Sequence, residues 1–159
     1  MPAKPINYKE RFKIAAYTEK WAVTMTKVRI RQAVAHAPFP RWHFLSFAGP
    51  DGGESRGVVD LLAIRKDHAE RKGLKRGDTF QIVLIQVKGG YAAKPTAEDG
   101  TRLRAVAKLH HAHGVLLASW KKGTAAKFYT LRPKSKVGET DWIKVEDLKE
   151  IFCVSPEAS

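Results

Sequence analysis

An acid, an amide and an amine interrupt or end two apolar, strand-like runs in the middle of the chain. Asp60 stands inside the run Val58–Ile64, and Gln86 and Lys88 end the run Phe80–Lys88. Because side chains alternate across a strand, Gln86 and Lys88 share one face of theirs. A carboxylate inside an apolar run is costly to bury without a partner or an ion. The set therefore indicates a functional site.

These residue types suit a hard divalent cation, which prefers oxygen ligands. Asp60 would supply a carboxylate, Gln86 an amide oxygen and Val87 a backbone carbonyl. A cation held there can polarise a phosphoryl oxygen and activate water. Lys88 would orient that water or stabilise the charge that develops on the phosphate. The competing interpretation is a solvated strand end, because an acid followed later by Gln-x-Lys also occurs by chance.

The charge of the chain predicts a polyanionic partner. Lys and Arg number 29 against 16 Asp and Glu, a net charge of +13, and such an excess attracts nucleic acid. As a set, the cations could follow phosphates beside the proposed site, although each one alone is better explained as solvated surface. Trp120, Phe128 and Tyr129 lie among the C-terminal cations Lys121, Lys122, Lys127, Arg132, Lys134 and Lys136 and could stack on unpaired bases. The predicted nucleic-acid contacts are Arg65, Lys66, Arg71, Lys72, Lys75, Arg76, Lys121 and Lys122.

Several other kinds of site and location receive less support. Gly53–Gly57 matches the G-x-S-x-G pattern of a nucleophile elbow, but a strand follows it instead of a helix. The histidines of His110–His113 lack the four-ligand spacing of structural zinc. No Gly-rich phosphate loop is present. No run is long and apolar enough to span a bilayer. The lone Cys153 fits a reducing compartment, and we expect a cytoplasmic location.

The hydrophobic patterning predicts an α/β fold, a sheet with helices packed on it, in the order α-β-β-β-α-β-β-α. We expect a single domain over residues 1–159. Thr18 would cap the first helix, and Pro38 and Pro40 would end it. The predicted helices are Glu19–Ala37, Thr101–His113 and Val145–Phe152, and the predicted strands are Trp42–Phe47, Val58–Ile64, Phe80–Lys88, Val115–Ser119 and Lys127–Leu131.

The two runs together resemble the core of the PD-(D/E)xK nucleases. The segment Gly57–Ala63, followed by a strand that ends in Gln-Val-Lys, is similar to the motif of archaeal Holliday-junction resolvases, restriction endonucleases and the TnsA transposition endonuclease. The resemblance implies a restriction-endonuclease-like αβββαβ core over about residues 19–119, with an extension over about 127–152. Val59 replaces the nominal proline. Gln86 replaces the usual acid, as in TnsA-like members.

The resemblance also implies a role for each site residue. Asp60, Gln86 and Lys88 would be catalytic in an endonuclease that uses Mg²⁺ or Mn²⁺ to hydrolyse DNA. Members of the family often add a glutamate from the first helix. Glu19 is the candidate, because Val23, Ile30 and Val34 follow it on one helical stripe. Glu54, close before Asp60, is the competitor, and the two stay open.

The resemblance leaves open how the protein assembles and whether it is active. Many members of the family are dimers, so a homodimer is one expected assembly, and no membrane partner is expected. Gln86 removes one negative charge from the metal site. A non-catalytic nucleic-acid-binding module on the same fold is therefore the first alternative. A basic RNA-binding protein in which the motif is a coincidence is the second.

Overall fold

The structure, a computed structural model, describes residues 8–37, 40–47, 57–90, 92–121 and 123–154, with side chains from Glu19 onward. Its strands form one six-stranded sheet whose order follows the chain. The helices are α1 (Tyr8–Ala33), α2 (Ala97–Leu109) and α3 (Lys149–Phe152). The strands are β1 (His43–Ser46), β2 (Leu61–Asp67), β3 (Thr79–Gly89), β4 (Gly114–Trp120), β5 (Lys127–Leu131) and β6 (Trp142–Val145).

The sheet is mixed, and its one parallel pair determines which strand ends meet. All neighbouring strands are antiparallel except β3 and β4. A parallel pair needs a crossover, and α2 provides it. In this pair Lys88 lies opposite Ser119 and Gly89 opposite Trp120, so the carboxyl ends of both strands lie at one edge of the sheet. The predicted fold class, α/β with a mixed central sheet flanked by helices, is confirmed.

The helices α1 and α2 cover opposite faces of the sheet. Residues 83, 85 and 87 of β3 pack in the core that includes Ala22, Val23 and Ile30 of α1. Leu84 packs with Leu103 of α2 in a second core. Because strand side chains alternate between faces, Gln86 and Lys88 lie on the α2 face, together with Leu84.

Both long helices begin earlier in the sequence than predicted. α1 starts at Tyr8, so Thr18 lies inside the helix and is not its cap. No Pro or Gly lies between Tyr8 and Ala33 to stop the helix. α2 starts at Ala97, not Thr101, because Thr96 forms a capping box: its hydroxyl accepts from the Asp99 N–H, and the Asp99 carboxylate accepts from the Thr96 N–H.

The C-terminal segment contains a strand that the sequence pattern did not predict. Trp142–Val145 forms β6, with Val145 opposite Phe128 of β5. The predicted closing helix is therefore reduced to the four residues of α3. Short apolar runs do not distinguish strand from helix, and pairing with β5 decides here. In the part of the chain that the structure describes, none of the helices has the length and apolar character that a membrane crossing requires.

Candidate functional site

Asp60 lies immediately before β2, between β1 and β3. Its carbonyl accepts from the Phe47 N–H at 3.1 Å, and its N–H donates to the Ile85 carbonyl at 3.0 Å. The carboxylate Oδ2 accepts from the Val87 N–H at 2.7 Å, a short, charge-assisted bond. Since Leu61 lies opposite Ile85, Asp60 is beside Gln86 at the point where β2 and β3 separate.

Gln86 has a buried oxygen with no hydrogen-bond donor among the described residues. The residue is 5% exposed, and its Oε1 is fully buried. Gln81, on the same strand and 2% exposed, is a direct contrast, because its Oε1 accepts from Arg65 Nε at 2.6 Å. An unsatisfied buried acceptor costs about 1–3 kcal/mol. The Gln86 oxygen therefore has room in its hydrogen bonding for a partner from outside the described chain, such as a cation or a water molecule.

Lys88 follows on the same face, half-buried, at the end of β3. Hydrogen bonds within the α2 capping box are the main cause that lowers the pKa of Asp99, and the positive charges of Lys88 and Arg102 lower it further. The start of α2 thus brings an ionised carboxylate within electrostatic reach of Lys88. Sequence analysis missed Asp99, although the pattern Thr96-x-x-Asp99 before a helix was a usable signal.

The oxygen donors at this position fit one hard divalent cation. Gln86 has an unpartnered Oε1, and the register of β2 and β3 places the backbone of Asp60 next to that of Gln86. The Val87 carbonyl points to the same side of β3 as the Val87 N–H, which binds Asp60. The set is nevertheless low in negative charge. Among the described residues, no group of three or more His, Cys, Asp or Glu could hold a metal.

The structure describes one of the two candidate glutamates. Glu19 is half-buried on α1 and has an interaction partner. The buried residues of α1 next to it, Ala22 and Val23, pack on the face opposite Gln86. Glu54 lies outside the described residues. The choice between the two glutamates therefore stays a prediction.

Arg65 requires a correction. It was predicted to contact nucleic acid, but it is 3% exposed and belongs to the α1 side of the sheet. Its guanidinium donates to Gln81 and to the Val154 carbonyl, and lies 4.6 Å from the centre of the Trp42 ring. Burial is the main cause that lowers its pKa. A buried guanidinium with these partners joins β2, β3 and the C-terminal segment, and almost none of its surface is open to an external phosphate.

The basic connection between β2 and β3 is also not beside Asp60. Asp60 precedes β2 and Gln86 is near the end of β3, so the connection lies at the opposite end of both strands. Seven residues of strand separate the two ends by roughly 20 Å. Arg71 forms an ion pair with the buried Asp67 at 2.9 Å. The exposed cations of this connection are Lys66, Lys72, Lys75 and Arg76.

One predicted cation does lie at the edge of the sheet that carries the site. Lys121, exposed, directly follows β4, whose end is level with the end of β3. Lys122 lies outside the described residues. Trp120 and Phe128, predicted to stack on bases, are 8% and 7% exposed and belong to the core, so their rings are not available to a ligand.

Comparison with known proteins adds a distant structural likeness. No protein-family model matches the chain, and no curated protein matches it. A solved structure of Hjc, a Holliday junction resolvase from the archaeal hyperthermophile Archaeoglobus fulgidus, is 16% identical to this chain. The alignment covers 74% of this chain and 79% of that one, with a TM-score of 0.42.

Proposed function

We propose that this protein is a divalent-metal-dependent nuclease that hydrolyses phosphodiester bonds in DNA. The observation that carries the proposal is the buried, unpartnered Gln86 oxygen on the strand position next to Asp60, with Lys88 on the same face. The order of the described elements and the net charge of +13 are consistent with it.

Each residue would have a distinct part in hydrolysis. Asp60 and Gln86 would hold Mg²⁺ or Mn²⁺, together with the Val87 carbonyl. The bound ion would supply Lewis-acid polarisation of the phosphoryl oxygen and a more acidic water. Hydrolysis forms a bond from the water oxygen to phosphorus and breaks one ester P–O bond. The Lys88 ammonium would lie beside the negative charge that develops on the phosphate.

A non-catalytic nucleic-acid-binding module is the second candidate. The small number of acidic groups favours it, because Asp60 is the carboxylate that the described residues place beside Gln86. A neutral amide attracts a cation less than a carboxylate does. In this case the scaffold would bind nucleic acid without cleaving it.

Cleavage assays on duplex, single-stranded, flapped and branched DNA with Mg²⁺ separate the two candidates. We expect Asp60→Asn to abolish cleavage and Lys88→Ala to reduce it by at least about tenfold, since positioned charged groups contribute on that scale. Asp78→Asn, at the opposite end of the strands, and Lys149→Ala, exposed on α3, are the matched controls.

The outcome of these assays assigns the function. If wild type does not cleave but Gln86→Glu does, the natural protein is a binding module on a nuclease scaffold. If Asp60→Asn cleaves as well as wild type, the proposed site is wrong.

A further inference from the structure

Trp21 is an exposed aromatic residue in a molecule whose other described tryptophans are more buried. It lies on α1 and is 44% exposed, whereas Trp42 and Trp120 are 7% and 8% exposed, and Trp142 is half-buried. Its ring meets the Trp120 ring edge to face, with centroids 5.2 Å apart and planes at 79°. An exposed indole held in this way is a rigid apolar surface open to a ligand.

Hydrogen bonds and ring contacts hold Trp120, the residue against which Trp21 packs. Trp120 Nε1 donates to the hydroxyl of Thr26 at 2.9 Å, and that hydroxyl donates to the Ala22 carbonyl at 2.8 Å. Thr26 is fully buried. The Trp120 ring also meets the Phe128 ring edge to face, with centroids 6.3 Å apart. Because these partners hold Trp120 in place, and Trp120 in turn holds Trp21, a flat ligand that stacks on Trp21 loses little side-chain entropy of the protein.

The helix that carries Trp21 is rich in positive charge. Lys20, next to Trp21, and Lys27 lie seven residues apart and therefore on one line along α1. Lys121 is exposed directly after Trp120. Between residues 19 and 33, α1 carries four cations, namely Lys20, Lys27, Arg29 and Arg31, against the single acid Glu19. An aromatic platform among lysines fits a ligand that combines planar rings with phosphates.

The platform of Trp21 and Trp120 and the proposed site share one edge of the sheet, with Trp120 on the α1 face and Lys88 on the α2 face. Trp120 is opposite Gly89, the residue after Lys88, and strands in a sheet are about 4.8 Å apart. With the 5.2 Å between the two indoles, Trp21 is on the order of 10–15 Å from the backbone of Lys88. A strand of nucleic acid that passes round this edge of the sheet could reach both positions.

We propose that Trp21 stacks on an unpaired base, and that the substrate therefore contains a single-stranded segment beside the cleaved bond. The proposal rests on the nucleic-acid-binding part of the proposed function and names its substrate class. Base pairs inside a continuous duplex have their faces covered by neighbouring pairs. Trp21 would consequently distinguish single-stranded, flapped or branched DNA from plain duplex.

The test is a binding measurement in EDTA, which separates binding from cleavage. A fluorescent single-stranded oligonucleotide and a duplex of equal length are titrated with wild type, Trp21→Ala, Trp21→Phe and Phe80→Ala. Phe80 is the control, a 52% exposed aromatic at the far end of β3. We expect Trp21→Ala to weaken single-strand binding by about 5- to 100-fold, from the stacking energy per base. Duplex binding should change by less than about twofold, and Trp21→Phe should restore most of the single-strand affinity.

Two further measurements distinguish the loss of base stacking from other causes of weaker binding. Trp21→Ala removes no charge, so the slope of log K against log salt should stay unchanged. An oligonucleotide with abasic positions should bind wild type and Trp21→Ala alike. Circular dichroism and the urea midpoint of each variant confirm that it is folded.

The proposal is overturned if Trp21→Ala binds the single strand as wild type does, or loses affinity equally for duplex. It is also overturned if the substitution changes only self-association in sedimentation, which would assign the surface to a contact between protein chains. If wild type binds neither probe, the proposed function fails as well. If Asp60→Asn abolishes cleavage while Trp21→Ala changes nothing, the nuclease proposal stands and the stacking proposal alone is wrong.

Discussion

Two buried glutamines on one strand allow a direct test of the candidate metal site. Replacing either Gln81 or Gln86 with Met removes the amide and keeps a similar volume. Gln81→Met takes the acceptor from the Nε of buried Arg65, 2.6 Å away. Gln86→Met takes away an oxygen that accepts no hydrogen bond from the described chain. We therefore expect the two substitutions to change stability in opposite directions.

The magnitudes follow from hydrogen-bond energetics. A bond to a charged group contributes about 1.5–3 kcal/mol, so Gln81→Met should lower the free energy of unfolding by about that amount. Removing an unsatisfied buried oxygen recovers part of its cost of about 1–3 kcal/mol. Gln86→Met should consequently raise the free energy of unfolding by about 1 kcal/mol in EDTA.

Urea unfolding in EDTA, with midpoint and slope both fitted, measures these changes. Repeating the titration in Mg²⁺ then tests the ligand role of Gln86. At ten times the dissociation constant, a site that binds only the folded state gains about 1.4 kcal/mol. Wild type and Gln81→Met should show a gain, and Gln86→Met should not. Equal destabilisation by both substitutions in EDTA would refute the argument, because the Gln86 amide would then be satisfied without a cation.

Three further results are expected. Burial is the main cause that lowers the pKa of His113, so the folded state favours neutral imidazole; unfolding free energy should fall as pH drops below about 6.5. His113→Asn should lose that dependence between pH 7.5 and 5.5 while keeping an acceptor for the Ile82 N–H, 3.3 Å from Nδ1 in wild type. Arg65→Met should lower stability by about 1–3 kcal/mol without changing the salt dependence of DNA binding; a smaller salt slope would show that Arg65 reaches phosphate. Lys121→Ala should reduce that slope by about one unit on duplex DNA if it contacts one phosphate, and an unchanged slope would exclude this contact.

The sequence by itself determined the fold class and the grouping of Gln86 and Lys88. Both results depend on local periodicity. Alternation along a strand is a property of the backbone, so residues 86 and 88 must share a face wherever the strand lies. The apolar strand β3 (Thr79–Gly89) is long enough for its pattern to be unambiguous. The excess of positive charge is likewise independent of the fold.

Pairing between distant segments decided what the sequence could not. Trp142–Val145 is a strand because β5 offers it an open edge. In the sequence, Arg65 lies in a basic segment and looks like a surface cation. In the structure, Gln81, Trp42 and the Val154 carbonyl enclose it. The register of β2 against β3 places Asp60 beside Gln86 and moves the basic connection to the far end of the sheet. Trp21 became notable only when Trp120 proved to be buried beneath it. These outcomes depend on contacts between residues far apart in the chain, and no local pattern encodes them.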